Sequence, residues 1–175
     1  MANIGDDLSA KMAEKFFASR GHGVLSLADS NDGHGFPISY GYDLEMEHCI
    51  IQFVLDSASH KQQSHKQQSH KQQSHKQQFL EASNTVTLTT YEYAADGTWQ
   101  SAIATGSLVP LSSEAVANWA AAIFFTNAAY VETPVRQDST DTEIKWYELE
   151  IESLTGRENL SDGRSETKLE PELEQ

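Results

Sequence analysis

Positive charge is scarce in this 175-residue chain: 12 lysines and arginines stand against 26 aspartates and glutamates, for a formal net charge of −14. Four of the twelve (Lys61, Lys66, Lys71 and Lys76) fall in one low-complexity tract, so elsewhere 26 acids face 8 bases. That balance disfavours nucleic acid and anionic membrane as partners. Salt screens such self-repulsion, and the composition reads as that of a halophilic protein in a high-salt cytoplasm, the plainer alternative being an ordinary acidic protein with an acidic tail. Cysteine is almost missing. A single Cys49 excludes an intramolecular disulfide, and without a basic neighbour or helix start it reads as a small buried hydrophobe. No apolar run approaches a membrane span, and the N-terminus lacks a basic-then-apolar leader, so a soluble cytoplasmic protein is expected. The length fits one domain with a real core.

What is present alternates strand-like and turn-like segments. Residues 6–20 read as an opening helix, with Asp6 and Asp7 at its N-terminus, Leu8, Met12 and Phe16 on one stripe, and Gly21 ending it. Gly23 to Asp29 is a strand, Ser30-Asn31-Asp32-Gly33 a turn, and two strands follow at 35–43 and 48–55. Phe79 to Ser83 reads as a helix end, and Thr85–Tyr93 as a β-branched and aromatic strand. Ala94-Ala95-Asp96-Gly97 is a hairpin turn, and Gly106 marks a bulge or bend in a long strand over Thr98–Leu111. Ser112 caps a helix whose buried stripe is Val116, Trp119, Ile123 and Phe124. In Glu143–Ser153, Tyr147, Leu149 and Ile151 alternate with Glu148, Glu150 and Glu152, giving one core face and one solvent face. From Gly156 the composition is that of a disordered acidic tail; the domain is drawn over 1–157 and the tail over 158–175. His22, His34 and His48 fall in expected turns and read as solvated. Six strands joined mostly by hairpins predict a mainly β fold, an antiparallel barrel with flanking helices.

Residues 59–78 are SHKQQ written four times. A five-residue period advances a helix by about 140° per copy, so the histidines spiral around it and line no face. They lack the spacing of a helical metal pair, and no metal site is expected. The tract reads as a tandem expansion of one native SHKQQ, looped out or extending the next helix.

The chain is organised around Gly35 to Lys61: two β-rich runs about an acidic turn, then a small polar loop ending in lysine. Strand edges offer backbone donors and acceptors, and the loop offers donors to an anion, which suits a planar phosphate-bearing ligand. Several strings in this order resemble the pyridoxamine 5′-phosphate oxidase-like superfamily of FMN-binding split barrels, closest to its nitroimidazole-reductase-like branch. They are a GVLS strand at Gly23, Pro37-Ile38-Ser39-Tyr40-Gly41-Tyr42, a strand with central Phe53, the loop Ser57-Ala58-Ser59-His60-Lys61, and Asn84-Thr85-Val86-Thr87-Leu88. Trp99, Ser101 and Gly106 follow, then Thr155-Gly156-Arg157. With one SHKQQ the interval from Phe53 to Leu88 has the family's usual length.

The resemblance implies a six-stranded split β-barrel that binds FMN at the interface of a homodimer. Ser57, Ser59 and Lys61 would hold the phosphate, with Lys76 as the rival lysine. Pro37, Ile38, Ser39 and Tyr40 would run along the flavin ring, although Tyr40 and Tyr42 could equally be barrel wall. Trp99 and Ser101 would approach from the partner subunit, or simply pack. No acid–base constellation stands out, so catalytic residues stay unassigned. The implied function is a flavin-dependent oxidoreductase of a small molecule; the alternatives are a flavin carrier, sensor or reservoir, or the same barrel with haem or a deazaflavin. Val54 follows Phe53 where that branch often has histidine, which argues against nitroreductase activity of that type. No histidine follows His75, which sets haem back.

Overall fold

A computed structural model describes residues 5–29, 32–56, 75–129 and 142–159. The elements are β1 (Asp6–Asp7), α1 (Ala10–Arg20), β2 (His22–Asp29), β3 (Asp32–Tyr42), β4 (Cys49–Asp56), α2 (His75–Ala82), β5 (Val86–Tyr93) and β6 (Trp99–Pro110). A near-continuous helix follows as α3 (Ser113–Ala115), a π-helical turn (Val116–Ala120) and α4 (Ala121–Asn127), and β7 (Thr142–Asn159) ends the described chain. The order β7-β4-β3-β2-β5-β6 closes on itself because β7 also pairs with β6. Six antiparallel strands therefore form the barrel, as expected, and the two-residue β1 is an addition on the edge of β7.

Closure depends on the length of β7. Its first part pairs with β4 from Asp56↔Thr142 to Ile50↔Glu148, and the rest pairs with β6 from Pro110↔Tyr147 to Trp99↔Asn159. This corrects two expected boundaries: the last strand does not stop at Ser153, and Gly156 does not begin a tail. Ladder bonds to β6 order a stretch that composition alone marks as tail. The register slips between Thr105 and Gly106, where Glu152 is the extra residue on β7. A Cβ on Gly106 would lie 1.9 Å from the Glu150 carbonyl oxygen, so only glycine lets the strands approach this closely. The expected bulge is there.

The opening helix starts later than expected. Ser9 caps it, accepting from the Met12 N–H at 3.4 Å, while Asp6 and Asp7 pair with Glu158 and Arg157. Arg157 binds the Asp7 carboxylate at 3.0 Å, which adds to that pairing. The buried stripe is accordingly Ala13, Phe16 and Phe17, and Met12 is 49% exposed. Phe17 stacks on Tyr40 with ring centroids 4.6 Å apart and meets Tyr42 edge-on at 5.4 Å. These tyrosines point into the barrel, so α1 covers one end of it. Helix α2 covers the other: Phe79 and Leu80 are buried in the same core, and Ser83 both accepts from the Ala28 N–H and donates to its carbonyl. The last four residues of the repeat tract, His75–Gln78, form the first half of α2; the rest lies outside the described residues.

The third helical stretch packs outside the barrel. Its Ala120 and Phe124 cover Ile50, and a Cβ on Gly41 would sit 2.5 Å from the Phe124 Cα. Of the expected stripe, Phe124 is buried, whereas Val116, Trp119 and Ile123 are only partly covered. The π turn widens the helix and rotates the stripe, placing Ala120 against the sheet. Cys49 is fully buried in the barrel core.

Candidate functional site

Two seams of the barrel are short: β2–β5, paired from Val24↔Thr89 to Ser26↔Thr87, and β3–β4. β3 pairs with β2 from His22↔Ser39 to Asp29↔Asp32, but with β4 only at Tyr42↔Cys49, Gly41↔Ile50 and Tyr40↔Ile51. Beyond that apex β3 stays with β2, and β4 stays with β7 to Asp56↔Thr142. A wedge opens between them toward the α2 end. From Tyr40/Ile51 to Gly35/Asp56 it runs five residues, about 17 Å at the rise of a strand.

The backbone that lines the wedge follows from the ladder. Tyr40 donates its N–H to Gly21, away from β4, and Asp43 donates to His48. Alternation then turns the backbone groups of Gly35, Pro37 and Ser39 toward the wedge, and those of Gln52, Val54 and Asp56 toward it from β4. Pro37, lacking an N–H, is tolerated in mid-strand because its nitrogen faces this unpaired edge. Ile38 and Phe36 pack partly buried against the core, and Phe53 is fully buried edge-on to Tyr147 at 5.6 Å. The wedge thus combines amide donors and acceptors with apolar walls.

The predicted site residues fall in different places. Pro37 is exposed on the wedge lip opposite Val24, and Ile38 lies next to it opposite Gly23. Ser39 also sits there, but its hydroxyl donates to the Ala129 carbonyl and is committed inside the protein. Tyr40 belongs to the wall: its side chain is fully buried and its hydroxyl donates to the Phe17 carbonyl at 2.6 Å. Burial, helped by Cys49, holds its phenol well above the ordinary tyrosine range. Tyr42 is wall too, donating to Glu14 Oε1 at 2.9 Å. Trp99 and Ser101 are on β6, diametrically opposite β3 in the ring and at the α1 end, with Trp99 against Gly5. Within one chain they are not brought to the wedge. Lys76 is in the first turn of α2, one turn before Phe79. Ser57, Ser59 and Lys61 lie outside the described residues.

His22 and His34 lie in strands rather than in the expected turns, and His48 lies in its turn but is half-buried rather than solvated. His34 lies on β3 toward the mouth, its ring 4.5 Å from Phe79 edge-to-face and 5.7 Å from Phe36. Only a pairing that pulls Asp32 and Gly33 into β3 reveals this, and Asp32-Gly33 reads locally as a turn. His48 is half-buried before β4, with Nδ1 2.5 Å from Glu148 Oε1 and the Trp119 ring at 4.6 Å. His22, at the start of β2, is exposed, and its Nδ1 lies 2.9 Å from the Arg20 carbonyl oxygen. Burial, with Glu148 nearby, pushes the Cys49 thiol far up and leaves it no nucleophilic character. Among the described residues no group of three His, Cys, Asp or Glu could hold a metal ion, and no helix is long and apolar enough to cross a membrane.

A closed six-stranded ring whose β3 and β4 part beyond Tyr40↔Ile51 has the form of a split β-barrel. The chain belongs to the pyridoxamine 5′-phosphate oxidase family, whose model matches residues 9–158. Solved structures share the fold at low identity. An FAD-binding protein from Mesorhizobium loti is 16% identical, with a TM-score of 0.63 over 90% of this chain and 99% of that one. The FAD-binding protein from Mycobacterium smegmatis is 15% identical, with a TM-score of 0.56 over 87% and 97%. A Bacteroides thetaiotaomicron protein, proposed to confer 5-nitroimidazole resistance, is 12% identical with a TM-score of 0.58 over 87% and 86%. Among curated proteins none matches.

Proposed function

We propose that the chain binds FMN in the β3–β4 wedge and serves as a flavin-dependent oxidoreductase of a small molecule. The observation that carries this reading is the parted seam. Its length of about 17 Å suits a ring system with a phosphate-ended chain, its walls are apolar, and its lips present unpaired amides. Pro37 and Ser39 would meet the ring through backbone groups. Ser57, Ser59 and Lys61, or Lys76 in place of Lys61, would take the phosphate at the mouth. Trp99 and Ser101, remote from the wedge in their own chain, would complete the site from the second subunit of a homodimer. The flavin, when bound, supplies hydride or electron transfer; the protein's part is to bind, orient and exclude water.

The test is direct. Purified protein should be yellow and release FMN, rather than FAD, on denaturation, and its absorbance should bleach with NADH or NADPH. A colourless preparation that ignores added FMN and FAD rejects the reading. One observation favours a second one: Tyr40 and Cys49, the titratable groups at the apex, are sealed in the core, which suits a flavin carrier or reservoir. A bound flavin that stays oxidised with both nicotinamides selects it. The acidic composition extends the proposal to a cytoplasm rich in salt, testable as a melting temperature that rises between about 0.1 M and about 2 M NaCl.

A further inference from the structure

We infer that two copies of this chain pair through the outer face of β2, β5 and β6, the exposed Tyr91 and Tyr93 of each seating in a depression on the other. The inference rests on the homodimer of the flavin reading above and adds the surface that forms it. Val86, Leu88 and Thr90 of β5 are buried inside the barrel, so Thr87, Thr89, Tyr91 and Tyr93 point outward. Their ladder partners point the same way: Val24 and Ser26 on β2, and every second residue of β6 from Trp99 to Thr105. None of these positions is charged, in a chain that is 22% charged. On the neighbouring β7, Glu148 and Glu150 stand outward. Among the described residues no helix covers the uncharged face, since α1 and α2 lie over the barrel ends and α4 over Ile50 on β4. Aromatic side chains with no charge among them compose the centre of a protein interface rather than a solvent face. At 64% and 70% exposure the two tyrosines leave roughly 300 Å² open, about a third of the ~800 Å² that each partner of a stable pair buries.

Shape makes the face complementary to itself. The tyrosines project at its α1 end, and toward the α2 end lies an open depression of about 440 Å³ bounded by Ser26, Thr85 and Thr87. Gly33 and Gly35 border it without putting a side chain into it. Along β5, Tyr91 and Thr87 are equally far from Thr89, and so are Tyr93 and Thr85. A two-fold axis crossing β5 at Thr89 therefore sets Tyr91 of one copy over Thr87 of the other, and Tyr93 over Thr85. Projection meets recess twice. Charge then selects a second copy as the occupant. Two chains of net charge −14 repel across their acidic surfaces, and here they meet without burying like charges. A basic partner would gain more beside Glu148 and Glu150. Trp99 lies opposite Tyr93 on β6, so this contact carries it to the subunit boundary, where the flavin reading needs it.

The experiment is sedimentation equilibrium on the full-length chain, with thermal unfolding as a check on the fold. The wild type should be a dimer, and Tyr91→Lys and Thr87→Glu should each weaken it about tenfold or more, because each buries a lone charge. The double variant sets lysine against glutamate across the axis and should return to within about threefold of the wild type. Ile144→Lys, at an exposed position on β7 away from this face, should leave the dimer unchanged. Without any substitution, hydroxyl-radical labelling of Tyr91 and Tyr93 should rise as the wild type is diluted to monomer. A monomeric wild type, labelling independent of concentration, single variants that pair like the wild type, or a double variant no tighter than the single ones overturns the inference. A monomer that still binds FMN leaves the flavin reading standing. A dimer that pairs in this way but binds neither FMN nor FAD overturns the flavin reading alone.

Discussion

β3 has two edges, and they behave differently. Toward β2 it is paired from Ser39 back to Asp32; toward β4 it is paired over Tyr40, Gly41 and Tyr42 alone. The short seam is where the core is densest: Tyr40, Cys49 and Ile51 have no exposed surface, and α4 presses onto Gly41. On the parted side the strand carries Gly33, Gly35 and Pro37, residues that support a ladder poorly. The same strand is therefore wall at one end and lip at the other. The switch falls where side chains that fill the barrel give way to residues that cannot complete a sheet. The wedge is an interrupted seam rather than a cavity carved from the core.

That contrast can be broken most severely on the closed side. Gly106→Ala places a Cβ 1.9 Å from a backbone oxygen at the bulge, which no rotamer relieves, and should cost about 3 kcal/mol in urea unfolding. Gly33→Ala, on the lip, should change stability by no more than about 0.5 kcal/mol. Comparable losses at the two sites would mean that the lip is packed as tightly as the seam. Tyr40→Phe comes next. It strands the Phe17 carbonyl in the core and should cost about 1 to 2 kcal/mol. The variant also tests a pH effect. Burial raises the folded-state phenols of Tyr40 and Tyr42, so the folded protein holds those protons above about pH 10, where an unfolded tyrosine loses them. Stability is thus intact below about pH 10 and falls above it, and Tyr40→Phe should flatten that fall.

The ring of six strands was legible in the alternation of Glu148, Glu150 and Glu152 with Tyr147, Leu149 and Ile151, because period two survives in any half-buried strand. Gly106 was legible as a bulge for a similar reason: an isolated glycine in a strand has few other uses. The split was not. Local patterns give strands, but which residues pair depends on partners far along the chain, and the stop at Tyr40↔Ile51 is set by tertiary packing. Gly156 read as tail because its partner Ala102 is more than 50 positions away, and Asp6 read as a helix start because the partner that makes it a strand is Glu158. Pro37 was singled out with its neighbours from the family strings, and its exposure on the lip explains how a proline sits in mid-strand. Ser39 was singled out as well, yet its hydroxyl serves Ala129, a partner invisible at the sequence level.

Two smaller perturbations sharpen the comparison. Ser39→Ala releases the Ala129 carbonyl and should cost about 1 kcal/mol, while leaving FMN affinity within about twofold, because only the backbone of Ser39 faces the wedge. A stronger effect on FMN than on stability would give the hydroxyl to the ligand instead. The smallest effect is expected at His48 and Glu148, whose side chains keep 30% and 18% of their exposure. Their contact at 2.5 Å joins the start of β4 to β7 beneath Trp119, on the closed side of the apex. Solvent reaches both groups and screens the pair, so a double-mutant cycle with His48→Ala and Glu148→Ala should give a coupling of about 0.5 to 1 kcal/mol. FMN affinity should not follow it. If it does, the closed and parted ends of β4 communicate, and the apex is a hinge rather than a fixed point.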